Sequence, residues 1–373
     1  MLPLRKLRAY AYRAIALMGK TGRQSKAAKQ QRAKFYESIW REAARELDCQ
    51  LEILDTNFIR IADEQSATRV WLNYTCLDDP VALRVAGNKP LVHRLLQEQG
   101  LETPAHAVFG LHSFDIAREF LKQHHSPCVV KPASGTGAGQ GVTTGICNDR
   151  QLRQAAFRAG GYASDLIIEK QMSGANLRLL YLDGQLLDAV ERQPPQVTGD
   201  GKRTIRQLID NLNEQRLDRG HEVAQVTLPI DLDLKQTLAQ QKLSLRSIPD
   251  HGRVVTLKTV INDNMADENV SVINQISSEL IESGRQAARA VGLRLAGVDF
   301  VTPDYTKPLS DVGGVILEVN STPGFHIHYA QRNGRCPVAV PVLRACLEWT
   351  GSETSRQAPG IAVDAAPQSV SAW

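Results

Sequence analysis

The chain has 373 residues, enough for two or three domains with a substantial core. Its hydrophobic share of 42% and charged share of 23% are those of an ordinary soluble protein, and no apolar run approaches the roughly 20 residues needed to span a bilayer. The net charge of +4 is uneven, because residues 1 to 34 hold ten Lys or Arg and no acid while everything after them is net negative.

That basic start reads as an arm. Aromatic residues are not interleaved with its charges as stacking on bases would need, so an arm that covers part of the first domain is favoured over a nucleic-acid or membrane-surface segment. Its AIALM stretch is too short for a secretory core, which points to the cytoplasm. From Phe35 to Leu47, FYESIWREAAREL places Phe35, Ile39, Trp40 and Ala43 on one face of a helix. LEILDTNFIRIADEQSATRVWL then alternates as two strands parted at Asp63 to Ser66, and this small unit ends near Val85. NKPLVHRLLQEQG gives a helix stopped by Gly100, with a strand after Pro104. Another helix covers 113 to 123.

CVVKPASGTGAGQGVTTGI follows as strand, glycine loop and strand. The glycines at 135, 137, 139 and 141 step by two, so both G-x-G-x-x-G and G-x-x-x-x-G-K-[ST] are missed. Both motifs also open a helix, whereas VTTGI is short and β-branched, so the loop joins antiparallel strands. Such a loop is either a solvent hairpin or a flap of bare amides that closes over an anion, with Lys131 adding a positive charge at the strand end. A helix capped by Asn148 or Asp149 comes next, then the strand DLIIEKQM. NLRLLYLDGQLLDAVERQP reads as two strands about the turn Asp183-Gly184. LIESGRQAARAVGLRLAGVDFVT reads as helix, Gly292 and strand, GGVILEVNSTPGF as strand and loop, and 338 to 349 as a closing helix. The tail from Gly351 is rich in Ser, Ala and Pro and reads as disordered.

The six cysteines show no C-x-x-C and no zinc-like Cys/His spacing, so reduced thiols are expected. In GVDFV, Asp299 points away from Val298 and Phe300, and in ILEVN, Glu318 and Asn320 share one face. Two acids and an amide on neighbouring strands are oxygen ligands suited to Mg²⁺. Lys89 opens a helix, where the dipole disfavours a cation, so another purpose is expected for it.

In this order, NKPLVHRLL, CVVKPASGTGAGQGV, LIIEKQM, GVDFV and ILEVNSTPGF resemble the ATP-grasp superfamily. Within it, DAVERQPPQVTGDGKRTIRQLIDNLN and EVNSTPGFHIHYAQRNG are most similar to the ATP-grasp half of cyanophycin synthetases, and the likeness runs from about 58 to 349. The resemblance implies an α+β fold in which two α/β subdomains grip ATP behind a small α/β N-terminal domain. The implied division is a basic arm 1–34, an N-terminal domain 35–85, an ATP-grasp domain 86–350 with a lid subdomain at about 104–168, and a tail 351–373.

The resemblance also implies roles. Lys89 and Lys131 match phosphate-binding lysines; Ser134, Gly135, Thr136, Gly137, Gly139 and Gly141 match the lid loop; Glu169, Lys170 and Met172 match the hinge that meets adenine. Asp299, Glu318 and Asn320 match ligands of Mg²⁺, with Mn²⁺ as the alternative ion, and Arg178 and Arg192 match arginines near the reacting carboxylate. The implied reaction is ATP-dependent amide formation through an acyl phosphate, on amino acids or small peptides. A kinase that stops at phosphoryl transfer and a nucleotide-binding regulator are the alternatives. Membrane and nucleic acid are not expected as partners, and homo-oligomerisation is left open. Cyanophycin synthetases continue into a Mur-ligase-like half that this sequence does not contain, so polymer synthesis is not expected. Where they carry a glycine-containing loop, this sequence has TLKTVINDNMADENV with Lys258 at the basic position, so a different acceptor pocket is expected, which His326 and His328 could line. His124 and His125 read as surface residues.

Overall fold

The structure, a computed structural model, describes residues 26–137, 139–218, 228–259 and 268–356. Helix α1 (Lys26–Glu46) buries Phe35, Tyr36, Ile39, Trp40, Ala43 and Ala44 along one stripe. It begins at Lys26, inside the segment read as an arm, and residues 1–25 of that segment lie outside the described ones.

Strands β1 (Gln50–Asp55), β2 (Phe58–Ala62) and β3 (Ala67–Trp71) form an antiparallel meander, where the sequence suggested two strands. The additional turn falls at Thr56-Asn57, where Asn57 takes φ 68°, a left-handed conformation that Asn tolerates better than most residues. The inward residues Ile59, Ile61 and Val70 pack with Trp40, whose indole Nε1 donates to the Leu72 carbonyl at 2.8 Å. Truncating a buried aromatic of this kind costs about 3–5 kcal/mol.

Helix α2 (Pro80–Ala86), not foreseen, starts because Asp79 accepts from two of the free amides at its end and Pro80 needs no donor there. Helix α3 (Lys89–Glu98) is capped in the same manner by Asn88. The glycine loop belongs to a four-stranded antiparallel sheet ordered β4 (His106–Gly110), β7 (Asp165–Lys170), β5 (Cys128–Pro132), β6 (Thr143–Ile146). Helices α4 (Phe114–His124) and α5 (Asp149–Gly160, capped by Asn148) join Phe109, Val130 and Ile168 of this sheet in one core.

The second large sheet has five antiparallel strands, ordered β12 (Asn269–Ser271), β9 (Gln185–Arg192), β8 (Ala175–Leu182), β13 (Leu295–Thr302), β14 (Val315–Ser321). The β8–β9 turn is at Asp183-Gly184 with φ 50° and 77°, the pair of left-handed residues that a tight two-residue hairpin demands. Strand β13 is buried at every position, as a central strand covered on both faces should be. Helix α8 (Ser278–Val291) packs its Leu280, Ala287 and Val291 against the sheet and ends at Gly292 with φ 82°.

Between β9 and β12 a smaller unit folds around its own core. It holds β10 (Gln196–Thr198), β11 (Val254–Thr256), α6 (Ile205–Asp218) and α7 (Leu232–Gln240). Short helices α9 (Leu309–Val312) and α10 (His326–Tyr329) flank β14. The closing helix α11 (Ala339–Arg356) packs on α1 and β3 and reaches a few residues into the segment read as a tail, of which 357–373 lie outside the described residues.

Candidate active site

Helix α3 is fixed to the exit of β5 by its first residues. The Lys89 amide donates to the Ala133 carbonyl at 3.0 Å, and Asn88 bridges to Ser134. This brings two buried lysines to the start of the glycine loop. Lys89 Nζ lies 3.4 Å from Glu318 Oε1, and Lys131 Nζ lies 2.8 Å from Glu169 Oε2. Burial opposes the charge on Lys131, but the carboxylates of Glu169, Glu318 and Asp299 outweigh it and hold its pKa above the ordinary value.

The loop itself divides by function of backbone. Gly135, Gly139 and Gly141 have left-handed φ of 73°, 65° and 76°, whereas Gly137 does not. Around Gly135 and Gly137 there is open space, and Gly135 and Gly137 are exposed. Ser134, Thr136 and Gly139 are half-buried and Gly141 is buried.

On the five-stranded sheet the register sets the chemistry. Asp299 of β13 is paired with Arg178 of β8 on one side and Glu318 of β14 on the other. Arg178 sends Nε to Asp299 Oδ1 and Nη2 to Oδ2, the latter at 2.8 Å. Arg192, two residues beyond the partner of Arg178, shares its face and places Nη2 3.3 Å from Asp299 Oδ1. The second strand turn at Asp183-Gly184 is what brings both arginines to one cleft. Asn320 Nδ2 donates to Gly297 O at 3.2 Å and to Asp299 Oδ2 at 3.3 Å, leaving its carbonyl oxygen for another group. Burial raises the pKa of Asp299, but Arg178 and Arg192 overcome this and hold its carboxyl below the usual range. The cluster thus has four cations, Lys89, Lys131, Arg178 and Arg192, against Asp299, Glu318 and Glu169. Such an excess suits a polyanion.

Among the described residues no group of three or more His, Cys, Asp and Glu side chains gathers as a metal site. Asp299, Glu318 and Asn320 nevertheless form a contiguous set of hard oxygen donors, and Glu318 is 31% exposed with a loose ion pair, so the chemistry of the set fits Mg²⁺. Of the residues that the sequence matched to a hinge, Glu169 directs Oε2 to Lys131, while its buried Oε1 lies 3.8 Å from His93 Nε2. Lys170 is exposed at the strand end and Met172 half-buried beyond it.

Lys258 points elsewhere, pairing with Asp231 at 3.0 Å, and residues 260–267 of the departing loop lie outside the described ones. His326 and His328 are both on α10. His328 is fully buried with Nδ1 2.8 Å from Asp188 Oδ2. His125 is exposed and His124 half-buried. Sequence reasoning missed Asp188, which also accepts from Gln331 and Ser271, and it missed the contacts of Tyr36 and Asn73 with the loop after β14 and of Arg32 with Asn73. No periodicity or motif marks these polar residues.

No family model matches the chain. It is 33% identical to the cyanophycin synthetase of Crocosphaera subtropica over 275 residues, covering 70% of this chain and 30% of that protein. It is 27% identical to the glutathione biosynthesis bifunctional protein GshAB of Enterococcus faecalis over 311 residues, 78% of this chain and 40% of that one. Among solved structures, a bifunctional glutathione synthetase from Pasteurella multocida matches with a TM-score of 0.51 at 22% identity, covering 79% of this chain and 41% of that chain, which shows a shared fold. The chain spans about a third of the length of the cyanophycin synthetases it matches. It belongs to the ATP-grasp ligases, homologous to cyanophycin synthetase across the shared segment. No helix of the described residues is long and apolar enough to cross a membrane.

Proposed function

We propose that the chain is an ATP-dependent ligase that joins a carboxylate to an amine through an acyl phosphate, acting on amino acids or small peptides. The observation that carries this reading is the register-paired row Arg178–Asp299–Glu318 lying beside two buried lysines at the start of a glycine hairpin. Lys89, Lys131 and the loop 134–141 hold the phosphates of ATP, with adenine toward Glu169, Lys170 and Met172. Asp299, Glu318 and Asn320 would hold Mg²⁺, which would supply neutralisation of phosphate charge.

A substrate carboxylate oxygen attacks the γ-phosphorus and ADP departs. The amine then attacks the acyl carbon, losing a proton as phosphate leaves. Both steps build negative charge on oxygens, and two guanidiniums already oriented in a buried cleft stabilise it without reorganising. Arg178 and Arg192 are those groups, exchanging part of their contact with Asp299 for the substrate.

The test uses hydroxylamine as the amine, with ATP, Mg²⁺ and a mixture of amino acids and dipeptides. Hydroxamate should form, and Arg192→Ala should keep ATP binding while hydroxamate formation falls about 10²-fold or more. A stable phosphorylated product with no hydroxamate would replace the ligase by a kinase. Nucleotide binding with neither product would leave a regulator.

A further inference from the structure

The loop 321–325 leads from Glu318 and Asn320 to α10 and forms a wall of the reacting cluster. Pro323 and Arg178 both close over Gly297, where a Cβ would lie 3.0 Å from Pro323 Cβ and 3.1 Å from Arg178 Cδ. Pro323 and Arg178 thus flank the same point on β13, so a shift of this loop changes the space beside Arg178. The loop is also held in a conformation it would not choose alone, since Thr322, a β-branched residue, has φ 45°.

Its restraint comes from the other end of the sequence. Asn73, in the turn after β3 and 4% exposed, donates Nδ2 to the Thr322 carbonyl. Arg32 of α1 donates Nη2 to Asn73 Oδ1 at 2.9 Å, and its guanidinium carbon stands 5.8 Å from the Tyr36 ring centroid. The Tyr36 hydroxyl accepts from the Phe325 amide at 3.2 Å. Turning the Asn73 amide over would set oxygen against oxygen at Thr322 and N–H against guanidinium at Arg32, so its orientation is fixed.

We infer that Asn73, oriented by Arg32, is a positioning residue for the ligation step, through which the N-terminal meander sets the wall beside Arg178. This rests on the ligase reading above. Asn73 touches none of the groups assigned to ATP; it acts through Thr322 and Pro323. Misplacing a reacting group's support by a fraction of a bond length lowers turnover without weakening nucleotide binding.

The informative substitution is Asn73→Asp, which keeps an acceptor for Arg32 and removes the donor to Thr322. Amide hydrogen exchange over 321–326 should become faster, while exchange in β14 stays as in wild type. With hydroxylamine and the amino-acid mixture, kcat for hydroxamate should fall about tenfold or more, with KM for ATP within about twofold of wild type. Asn73→Gln, which retains donor and acceptor, should recover part of the loss. Should Asn73→Asp fail to fold, Arg32→Ala at an exposed position should give a smaller change in the same direction. Unchanged exchange at 321–326, or a wild-type kcat in Asn73→Asp, overturns the Asn73 role alone. A wild-type chain that makes no hydroxamate sinks the ligase reading and this role with it.

Discussion

Arg178 and Asp299 are register partners on adjacent strands and meet through two nitrogens and two oxygens, with Arg192 closing on the same carboxylate. A buried carboxylate held by two guanidiniums is not free to bind a cation until something draws the arginines off. Phosphate oxygens can do that, and free Mg²⁺ cannot. Calorimetric titration should therefore show Mg²⁺ binding to protein with a non-hydrolysable ATP analogue beyond that to the analogue alone, and much weaker binding to the protein without it. Equal affinity in the two titrations would mean that the arginines do not withhold Asp299.

Glu318 differs from Asp299 in what its loss does to the fold. Its side chain is 31% exposed and its ion pair to Lys89 is 3.4 Å long, so the pair is loose and solvent screens it on the Glu318 side. Glu318→Gln should melt close to wild type. Phosphate release should nevertheless fall about 10²-fold or more, because an amide replaces a charged metal ligand. Near-normal release at saturating Mg²⁺ would remove Glu318 from the metal set.

Much of this arrangement is legible in the sequence because it lies on regular elements. Alternation puts Asp299, Glu318 and Asn320 on defined strand faces, the Asp183-Gly184 turn fixes the register that brings Arg178 and Arg192 together, and Lys89 stands out as a cation at a helix start. What stays hidden is of two kinds. The turn at Asn57 and the helix capped by Asp79 depend on single residues whose local signals are weak against the alternation around them. The contacts Asn73–Thr322 and Asp188–His328 join residues 249 and 140 positions apart. A buried polar side chain takes its partner from the tertiary fold, so no local pattern announces it.

The glycine loop allows backbone strain to be separated from access to a ligand. At Gly141 the φ is 76° and an added Cβ would lie 3.0 Å from Pro132 Cγ and Tyr162 Cδ2, so a methyl group would be both strained and crowded and Gly141→Ala should lower the melting temperature. Gly137 has open space and no left-handed φ, so Gly137→Ala should leave the melting temperature unchanged or slightly raised. If the loop amides close on phosphates, the second variant should still lose turnover, and ATP with Mg²⁺ should slow protease cleavage within 133–142 of the wild type. Full turnover in Gly137→Ala together with nucleotide-independent cleavage would show that the loop is not a lid.

Acid stability gives an independent check on the histidines beside the cluster. Burial, together with the charges of Arg32, His328, Arg178 and Arg192, pushes the pKa of His326 down to about 3, and burial lowers that of His328 despite the opposing pull of Asp188. A histidine whose pKa is lower folded than unfolded stays neutral in the native state while the unfolded chain takes up a proton. Its contribution to stability is therefore complete above the unfolded value near 6.5 and is lost progressively as pH falls toward the folded value. Carboxylates with lowered pKa, such as Asp299 and Asp188, lose their contribution only below about pH 4, so the interval between about pH 6.5 and 5 belongs mainly to the histidines. The urea midpoint should fall on acidification across that interval, and His326→Gln, which cannot titrate, should make the fall shallower. A midpoint that does not change from pH 7 to 5, or an identical slope in His326→Gln, would mean that His326 takes up its proton as readily folded as unfolded.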